Sequence, residues 1–441
     1  MTAEDYDFRI PRLGDPEVAS PIHLSKRFDD FQANYVTDDQ LVLYDVEGDT
    51  SQLESISSRG ILEKAGPREL IFYRPESLHA AILTAGGLCP GLNDVIRAVV
   101  MTLWYRYGVR RISGLRYGYH GLLAASEVPP LELRPDVVRD IHRTGGTILG
   151  SSRGGGDRTE QMVDQLETMG VNALFAIGGD GTQKGAVALC REIERRQLSI
   201  SVVGIPKTID NDLSFVERSF GFETAVSEAV HAVAAAHIEA RDAINGIGLV
   251  KVMGRESGFI AAHTVLAQND VNFVLVPEVP FELEGSNGLL AHLERRLHAR
   301  KHALVLAAEG AGQELIARSS AEKDASGNLR LGDIGQFLKQ NISRYFQAKG
   351  EAINLKYIDP SYIIRSAPAV PSDAIYCARL GANAVHAALS GRTRCLVGLV
   401  NNRYVHVPMD LAVGKRRGVD PEGPLWRDVV EATGQPPLMC N

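Results

Sequence analysis

Cysteine is scarce in this 441-residue chain: Cys89, Cys190, Cys377, Cys395 and Cys440 are widely scattered, odd in number and never at C-x-x-C spacing. That excludes a disulfide framework and a thiolate zinc site, and it suits a reduced intracellular compartment in which thiols pack as small hydrophobes. No run reaches the ~18 apolar residues of a membrane helix. The opening MTAEDYDFRIPRLGD lacks the apolar centre of a signal peptide. The expectation is a cytoplasmic protein with no membrane partner. A basic surplus is also missing, because 47 Lys and Arg against 54 Asp and Glu give a formal charge of −7. A nucleic-acid binder concentrates cations on one face, so that class is set aside. Glycine, by contrast, is abundant at 43 residues without a collagen-like period, which points to tight turns and to backbone lying close to a ligand.

Residues 1 to about 75 are polar and acidic, with one strand-like run at Gln40–Val46 and a serine-rich stretch at Ser51–Arg59. They read as an N-terminal extension that covers part of the main body. From residue 80 onward, short apolar runs alternate with amphipathic helices. The runs are His79–Thr84, Ala173–Ile177, Ile200–Ile205, Ile247–Val252, Phe273–Val276 and Ala303–Ala307. Between them, Val95, Val99 and Leu103 form one helical stripe and Val187, Cys190 and Ile193 another. Such alternation predicts parallel strands buried on both faces and a doubly wound α/β fold. Ligands then sit beyond the carboxyl ends of the strands, so the turns that follow them are where chemistry belongs.

Three of those turns stand out. Thr84–Asp94 holds Gly86 and Gly87 ahead of a helix, a backbone that can present N–H groups to an anion. Gly178-Gly179-Asp180-Gly181-Thr182 exposes a carboxylate between glycines, the hard oxygen donor that Mg²⁺ takes beside phosphates. As a bland alternative, Asp180 caps the next helix. Pro206-Lys207-Thr208-Ile209-Asp210-Asn211-Asp212 sets two carboxylates near a lysine, so that one can take a proton from a hydroxyl while the other supports it. Met253-Gly254-Arg255, Glu309 and Tyr362-Ile363-Ile364-Arg365 also lie at strand ends, and their arginines suit bidentate phosphate recognition. Arg153, among the glycines of Gly145–Asp157, reads as a phosphate contact on a loop.

Taken together, the segments TAGGLCPGLN, GGTILGSSR, GGDGT, PKTIDND, MGRESG and YIIR resemble the 6-phosphofructokinase family from about residue 66 to about residue 410. The extension, GGLCPGLND and PKTIDND are similar to its long-chain atypical subgroup, related to pyrophosphate-using enzymes. The resemblance implies two doubly wound parallel-sheet domains. One is an ATP and Mg²⁺ domain at 76–222 plus about 366–410, and the other is a fructose 6-phosphate domain at 223–365, followed by a tail at 411–441. It implies that Asp210 is the base, with Lys207, Thr208 and Arg255 also catalytic. Gly86, Arg153, Gly154, Gly179, Gly181 and Thr182 would surround ATP, and Asp180 would hold Mg²⁺. Thr208, Ile209, Asp210, Met253, Gly254, Arg255, Glu309, Tyr362, Ile363, Ile364 and Arg365 would line the sugar phosphate.

The pattern has departures. Lys207 stands where the short enzymes have glycine, and Tyr362 where they have histidine. Lys356 and Gly246 stand where those enzymes have arginines that reach a neighbouring subunit, although a homodimer or homotetramer is still implied. Gly181, where pyrophosphate users commonly carry a second aspartate, favours ATP as donor, while Lys207 is shared with pyrophosphate users. A pyrophosphate-dependent enzyme is the alternative, and a silent phosphosugar-binding regulator is a second. Lipid and NAD kinases share a GGDG string but lack PKTIDND and MGR.

Overall fold

In the computed structural model, residues 6–46, 60–123, 128–155, 158–316, 331–413 and 416–441 are described. The serine-rich stretch Ser51–Arg59 lies outside them. The chain divides into a first unit, Met1–Thr208, Leu213–Gly221 and Pro368–Lys415, and a second, Ile209–Asp212, Phe222–Ala367 and Arg416–Asn441. The main strands of the first unit are β1 (Leu41–Leu43), β2 (Ile61–Lys64), β3 (His79–Thr84), β4 (Arg111–Leu115), β5 (Leu131–Glu132), β6 (Ala173–Gly178) and β7 (Ser201–Pro206). Those of the second are β8 (Gly246–Val252), β9 (Phe273–Leu275), β10 (His302–Ala308) and β11 (Asn354–Ile358). The chain then returns to the first unit with β12 (Cys395–Val400) and β13 (Arg403–Pro408).

Every residue of β3, β6 and β7 is buried, as befits central parallel strands covered on both faces. The first sheet runs β1-β2-β13-β12-β7-β6-β3-β4-β5 among the described residues. Its centre is parallel, with Thr84 beside Ile177 and Gly178 beside Pro206. The turns after β3, β6 and β7 therefore emerge along one edge. The second sheet, β9-β10-β8-β11, is parallel throughout, and Val252 lies beside Ala308. Helices with apolar stripes close the faces. Leu92–Met101 buries Val95, Ile96, Val99 and Val100, while Asp180–Arg195 buries Val187, Cys190 and Ile193. Cys89, Cys190, Cys377 and Cys395 are free, buried thiols. No helix among the described residues is long and apolar enough to cross a membrane.

Three features depart from the sequence expectation. The first sheet is mixed, because β12 pairs antiparallel with β13, β13 with β2, β2 with β1, and β4 with β5. Leu41–Leu43 and Ile61–Lys64 thus extend the sheet rather than lying over it. The C-terminal residues are no separate tail either. Helix Pro424–Thr433 places Trp426 and Val429 in the core of the second unit beside Ile260 and Val265.

Charge, not apolar surface alone, fastens the extension. Arg392, 1% exposed, donates Nε to Glu63 and Nη2 to Asp38 Oδ1 at 2.7 Å. Arg68 donates to the same Asp38 oxygen at 2.8 Å and to Glu63 Oε1 at 2.9 Å. Burial alone would raise the Glu63 carboxyl, but the His406 hydrogen bond and the two guanidinium charges outweigh it and hold it at about 2. Burial pushes His406 down to about 4 against the pull of Glu63. Both groups therefore stabilise the fold above their unfolded values, 6.5 for His406 and 4.5 for Glu63, and that stability is lost as pH falls towards their folded values. Replacing Glu63 leaves two buried cations with only Asp38 as their shared carboxylate among these partners. Glu63→Gln is expected to lower stability by about 3–5 kcal/mol in urea unfolding at neutral pH, and an unmoved midpoint would show that the cluster contributes nothing.

Candidate active site

In the first unit the turn after β3 opens at Gly86, whose φ of +90° lies in the left-handed region that favours glycine. Its N–H donates to the Ser152 carbonyl at 2.9 Å, and its own carbonyl accepts from Ser151 Oγ at 2.6 Å. These two bonds bring the loop of Arg153 and Gly154 onto the turn, and a Cβ at Gly87 would lie 3.7 Å from Arg153 Nη2. Lys207, buried just past β7, donates Nζ to the Gly87 carbonyl at 2.7 Å and its backbone N–H to the Gly178 carbonyl at 3.0 Å. Gly86, Arg153, Gly179 and Lys207, far apart in sequence, thus stand at one sheet edge.

The Gly178–Thr182 turn leads into helix Asp180–Arg195 with Gly179 as its N-cap. A Cβ at Gly179 would press within 3.1 Å of the Lys207 carbonyl. Asp180 is half-buried at the first helical position and accepts from Lys184 Nζ at 2.8 Å. A Cβ at Gly181 would meet nothing within 4 Å, so the space beside Asp180 is open. A half-buried carboxylate in the first turn of a helix, next to the open position at Gly181, is a hard oxygen donor of the kind that fits Mg²⁺, which binds through one or two carboxylates plus phosphate and water. Thr182 behaves differently from the expectation. It is 5% exposed with its side chain against Gly178, its N–H goes to the Gly179 carbonyl, and its carbonyl accepts from the Tyr119 hydroxyl. Thr182 therefore packs the turn and presents no open hydroxyl.

The peptide bond after Thr208 leads into the second unit. Thr208 accepts at its carbonyl from Ser219 Oγ, and Ile209 packs against the second core. Asp210 follows. Its Oδ1 is buried and has no hydrogen-bond partner, while Oδ2 accepts the Arg255 N–H at 3.4 Å. Ser257 Oγ donates to the Asp210 carbonyl at 2.8 Å. Burial above all, then the Asp212 and Glu309 carboxylates, push Asp210 up to about 7 against the Arg255 N–H and the Arg365 charge. A carboxylate poised there exchanges protons at working pH.

Strand ends again supply the partners. Met253 is buried, and Gly254 has φ +124° with a would-be Cβ 2.5 Å from the Ser257 carbonyl. Glu309, just past β10, donates its N–H to the Val252 carbonyl at 2.9 Å. In helix Ser361–Ser366, Tyr362 is 82% and Ile363 67% exposed, but Ile364 is fully buried in the core. Its side chain anchors the helix that carries Arg365 and does not face outward. At Gly246, a Cβ would stand 2.0 Å from the Ala240 carbonyl, which leaves no room for an arginine there. Sequence reasoning overlooked Arg416 and Arg417, although a basic run at 415–417 signals them. Arg416 Nη1 lies 3.7 Å from Asp212 Oδ2, and Arg417 donates its N–H to the Asp212 carbonyl at 2.8 Å.

Residues 79–388 match the family described as Phosphofructokinase. The chain is 54% identical over 447 residues to the ATP-dependent 6-phosphofructokinase of Borreliella burgdorferi, covering 99% of each. It is 46% identical to the ATP-dependent 6-phosphofructokinase of Amycolatopsis methanolica, covering 99% of this chain and 96% of that one. In fold it is similar to the pyrophosphate-dependent phosphofructokinase of Marinobacter aquaeolei, with a TM-score of 0.64 at 20% identity over 82% of this chain and 92% of that one. With the glycine turns of the first unit and the buried carboxylate of the second, these matches establish that the chain belongs to the phosphofructokinase family.

Proposed function

We infer that this protein is an ATP-dependent 6-phosphofructokinase of glycolysis, which transfers the γ-phosphoryl group of ATP to the 1-hydroxyl of fructose 6-phosphate and releases ADP and fructose 1,6-bisphosphate. The observation that carries the reaction type is Asp210, a buried carboxylate with one unpartnered oxygen, raised to about 7. The donor is supported by relatives that match this chain along its whole length and are named ATP-dependent, and by Gly181.

Asp210 takes the proton of the 1-hydroxyl as the oxygen attacks phosphorus. Phosphoryl transfer otherwise demands positioning and charge more than covalent chemistry. Arg255 and Lys207 supply cations to the transferring group, and Thr208 helps orient it. Gly86, Arg153, Gly154, Gly179 and Gly181 surround the nucleotide, and Thr182 acts through the turn it packs. Asp180 holds Mg²⁺, which neutralises phosphate charge when bound. Met253, Gly254, Glu309, Tyr362, Ile363 and Arg365 line the sugar phosphate together with Thr208 and Ile209, while Ile364 fixes their helix. The protein works in the cytoplasm as a homodimer or homotetramer. A pyrophosphate-dependent enzyme is the second reading, favoured by Lys207 alone, and a silent regulator has no use for Asp210.

Three outcomes follow from these roles. Asp210→Asn is expected to lower kcat by ~10²–10⁴ with little change in the KM for fructose 6-phosphate, and a variant keeping more than about a third of the rate would remove Asp210 as the base. Because the base acts only when ionised, kcat/KM of the wild type should climb with pH through about 7 and level off above it, as initial rates across that range will show. The wild type should turn over ATP and be inert with pyrophosphate. A carboxylate at 181 would meet the α-phosphate at ~4 Å, a repulsion of about 4 kcal/mol at an effective dielectric of 20. Gly181→Asp should therefore raise the KM for ATP sharply while leaving the melting temperature unmoved, because the space there is open. Robust turnover with pyrophosphate, or normal ATP kinetics in the variant, would overturn the donor assignment.

A further inference from the structure

The turn that carries Asp210 is held from the C-terminal segment. Asn211, next to the base, sits at φ +56°, a left-handed conformation that asparagine adopts more readily than other non-glycine residues and that turns the chain sharply between Asp210 and Asp212. Arg417 fastens this turn. Its backbone N–H donates to the Asp212 carbonyl at 2.8 Å and its Nη2 to the Asn211 carbonyl at 3.4 Å. Its guanidinium stands 5.0 Å over the Phe259 ring, a cation–π contact that fixes the side chain. Arg416 is shared between two carboxylates, with Nη1 3.7 Å from Asp212 Oδ2 and 3.0 Å from Glu256 Oε2. Behind them, Glu278 Oε1 accepts the N–H of Val419 at 2.6 Å and that of Gly258 at 2.8 Å. One oxygen thus ties the C-terminal segment to the loop that follows Arg255. A Cβ at Gly418 would come within 2.9 Å of the same oxygen, so glycine permits the approach.

We propose that Arg416 and Arg417 are positioning residues for phosphoryl transfer: Arg417 holds the Asp210–Asp212 turn in place through the Asn211 and Asp212 carbonyls, and Arg416 sets how much of the Asp212 charge reaches Asp210. The inference rests on the function proposed above. The charged groups bearing on Asp210 are the Asp212 and Glu309 carboxylates on one side, and Arg365 with the Arg255 N–H on the other. Asp212, 9% exposed, is in turn faced by Arg416, which Glu256 competes for. Neutralising Arg416 leaves Asp212 less compensated, disfavours the ionised base and raises its pKa. Neutralising Glu256 frees Arg416 for Asp212 and lowers it. A purely structural part for Arg416 would not produce shifts of opposite sign.

The test is kcat/KM for fructose 6-phosphate against pH, at saturating ATP and Mg²⁺, in the full-length enzyme. Arg416→Gln should move the acid limb up by about half a pH unit. At the wild-type midpoint the rate would then fall roughly twofold and recover at higher pH. Arg416→Lys should restore the limb, and Glu256→Gln should move it down. Arg417→Ala should lower kcat by roughly ten- to a hundredfold at every pH without shifting the limb, as a displaced base does. Acid limbs that superimpose in Arg416→Gln, Glu256→Gln and the wild type overturn the role of Arg416. A wild-type kcat in Arg417→Ala overturns that of Arg417, and should that variant fail to fold, Arg417→Lys, which keeps the backbone bond and loses the fork, should still lower kcat. An enzyme inactive on fructose 6-phosphate would instead overturn the proposed function itself, and one fully active as Asp210→Asn would overturn Asp210 as its base.

Discussion

Parallel strands that finish level with one another deliver their following turns to a common edge, and both units depend on that register. In the first, the pairing of Thr84 with Ile177 and of Gly178 with Pro206 puts Gly86, Asp180 and Lys207 within reach of one another. In the second, Val252 beside Ala308 lets the Glu309 N–H bond the Val252 carbonyl, so that Glu309 and Arg255 share an edge. A slip of one residue would turn every side chain to the opposite face, and because both faces of these strands are buried, the core forbids the slip. The precision of the site is thus inherited from packing of Val, Ile and Ala residues that never meet a substrate.

Two carboxylates show how one side-chain type is tuned in opposite directions by surroundings. Glu63 and Asp210 are both driven upward by burial, but only Glu63 is given guanidinium partners close enough to reverse the effect. Asp210 instead has two acidic neighbours and a single long backbone hydrogen bond. The first arrangement fastens a segment, and the second leaves a buried carboxyl poised near neutrality. Buried charge by itself therefore says little, and the count and sign of its neighbours decide whether it serves architecture or chemistry.

Much of this was legible in the sequence, for stated reasons. Runs such as His79–Thr84 and Ala173–Ile177 are apolar because their strands are covered on both faces, and their limits agree with the structure to within a residue. Motif order also singled out the turns that follow β3, β6 and β7. Strand β4 escaped notice because Arg111, Ser113 and Gly114 interrupt its apolar pattern, and β11 because exposed Asn354 and Lys356 alternate with half-buried residues. Motif strings cannot give side-chain direction, so Thr182 and Ile364 were grouped with residues that face outward. The ion pairs of Arg392 with Asp38 and Glu63, and of Arg416 with Asp212, join segments hundreds of residues apart and leave no local trace.

The pairing of β2 with β13 also bears on how the chain is made. Glu63 and Lys64 take their places beside His406 and Val405, partners that leave the ribosome more than three hundred residues later. The four strands described in the sheet of the second unit, by contrast, all lie between Gly246 and Ile358. The inserted unit has its whole sheet in hand while the outer strands of the first still wait for theirs, with Leu41 and Ile61 among the apolar side chains they carry. Unpaired strand edges are sticky, and closing so long a loop is slow. The stretch of synthesis that precedes Arg403–Pro408 is thus the interval in which the outer strands of a nascent chain stand without the neighbour that joins them to the sheet.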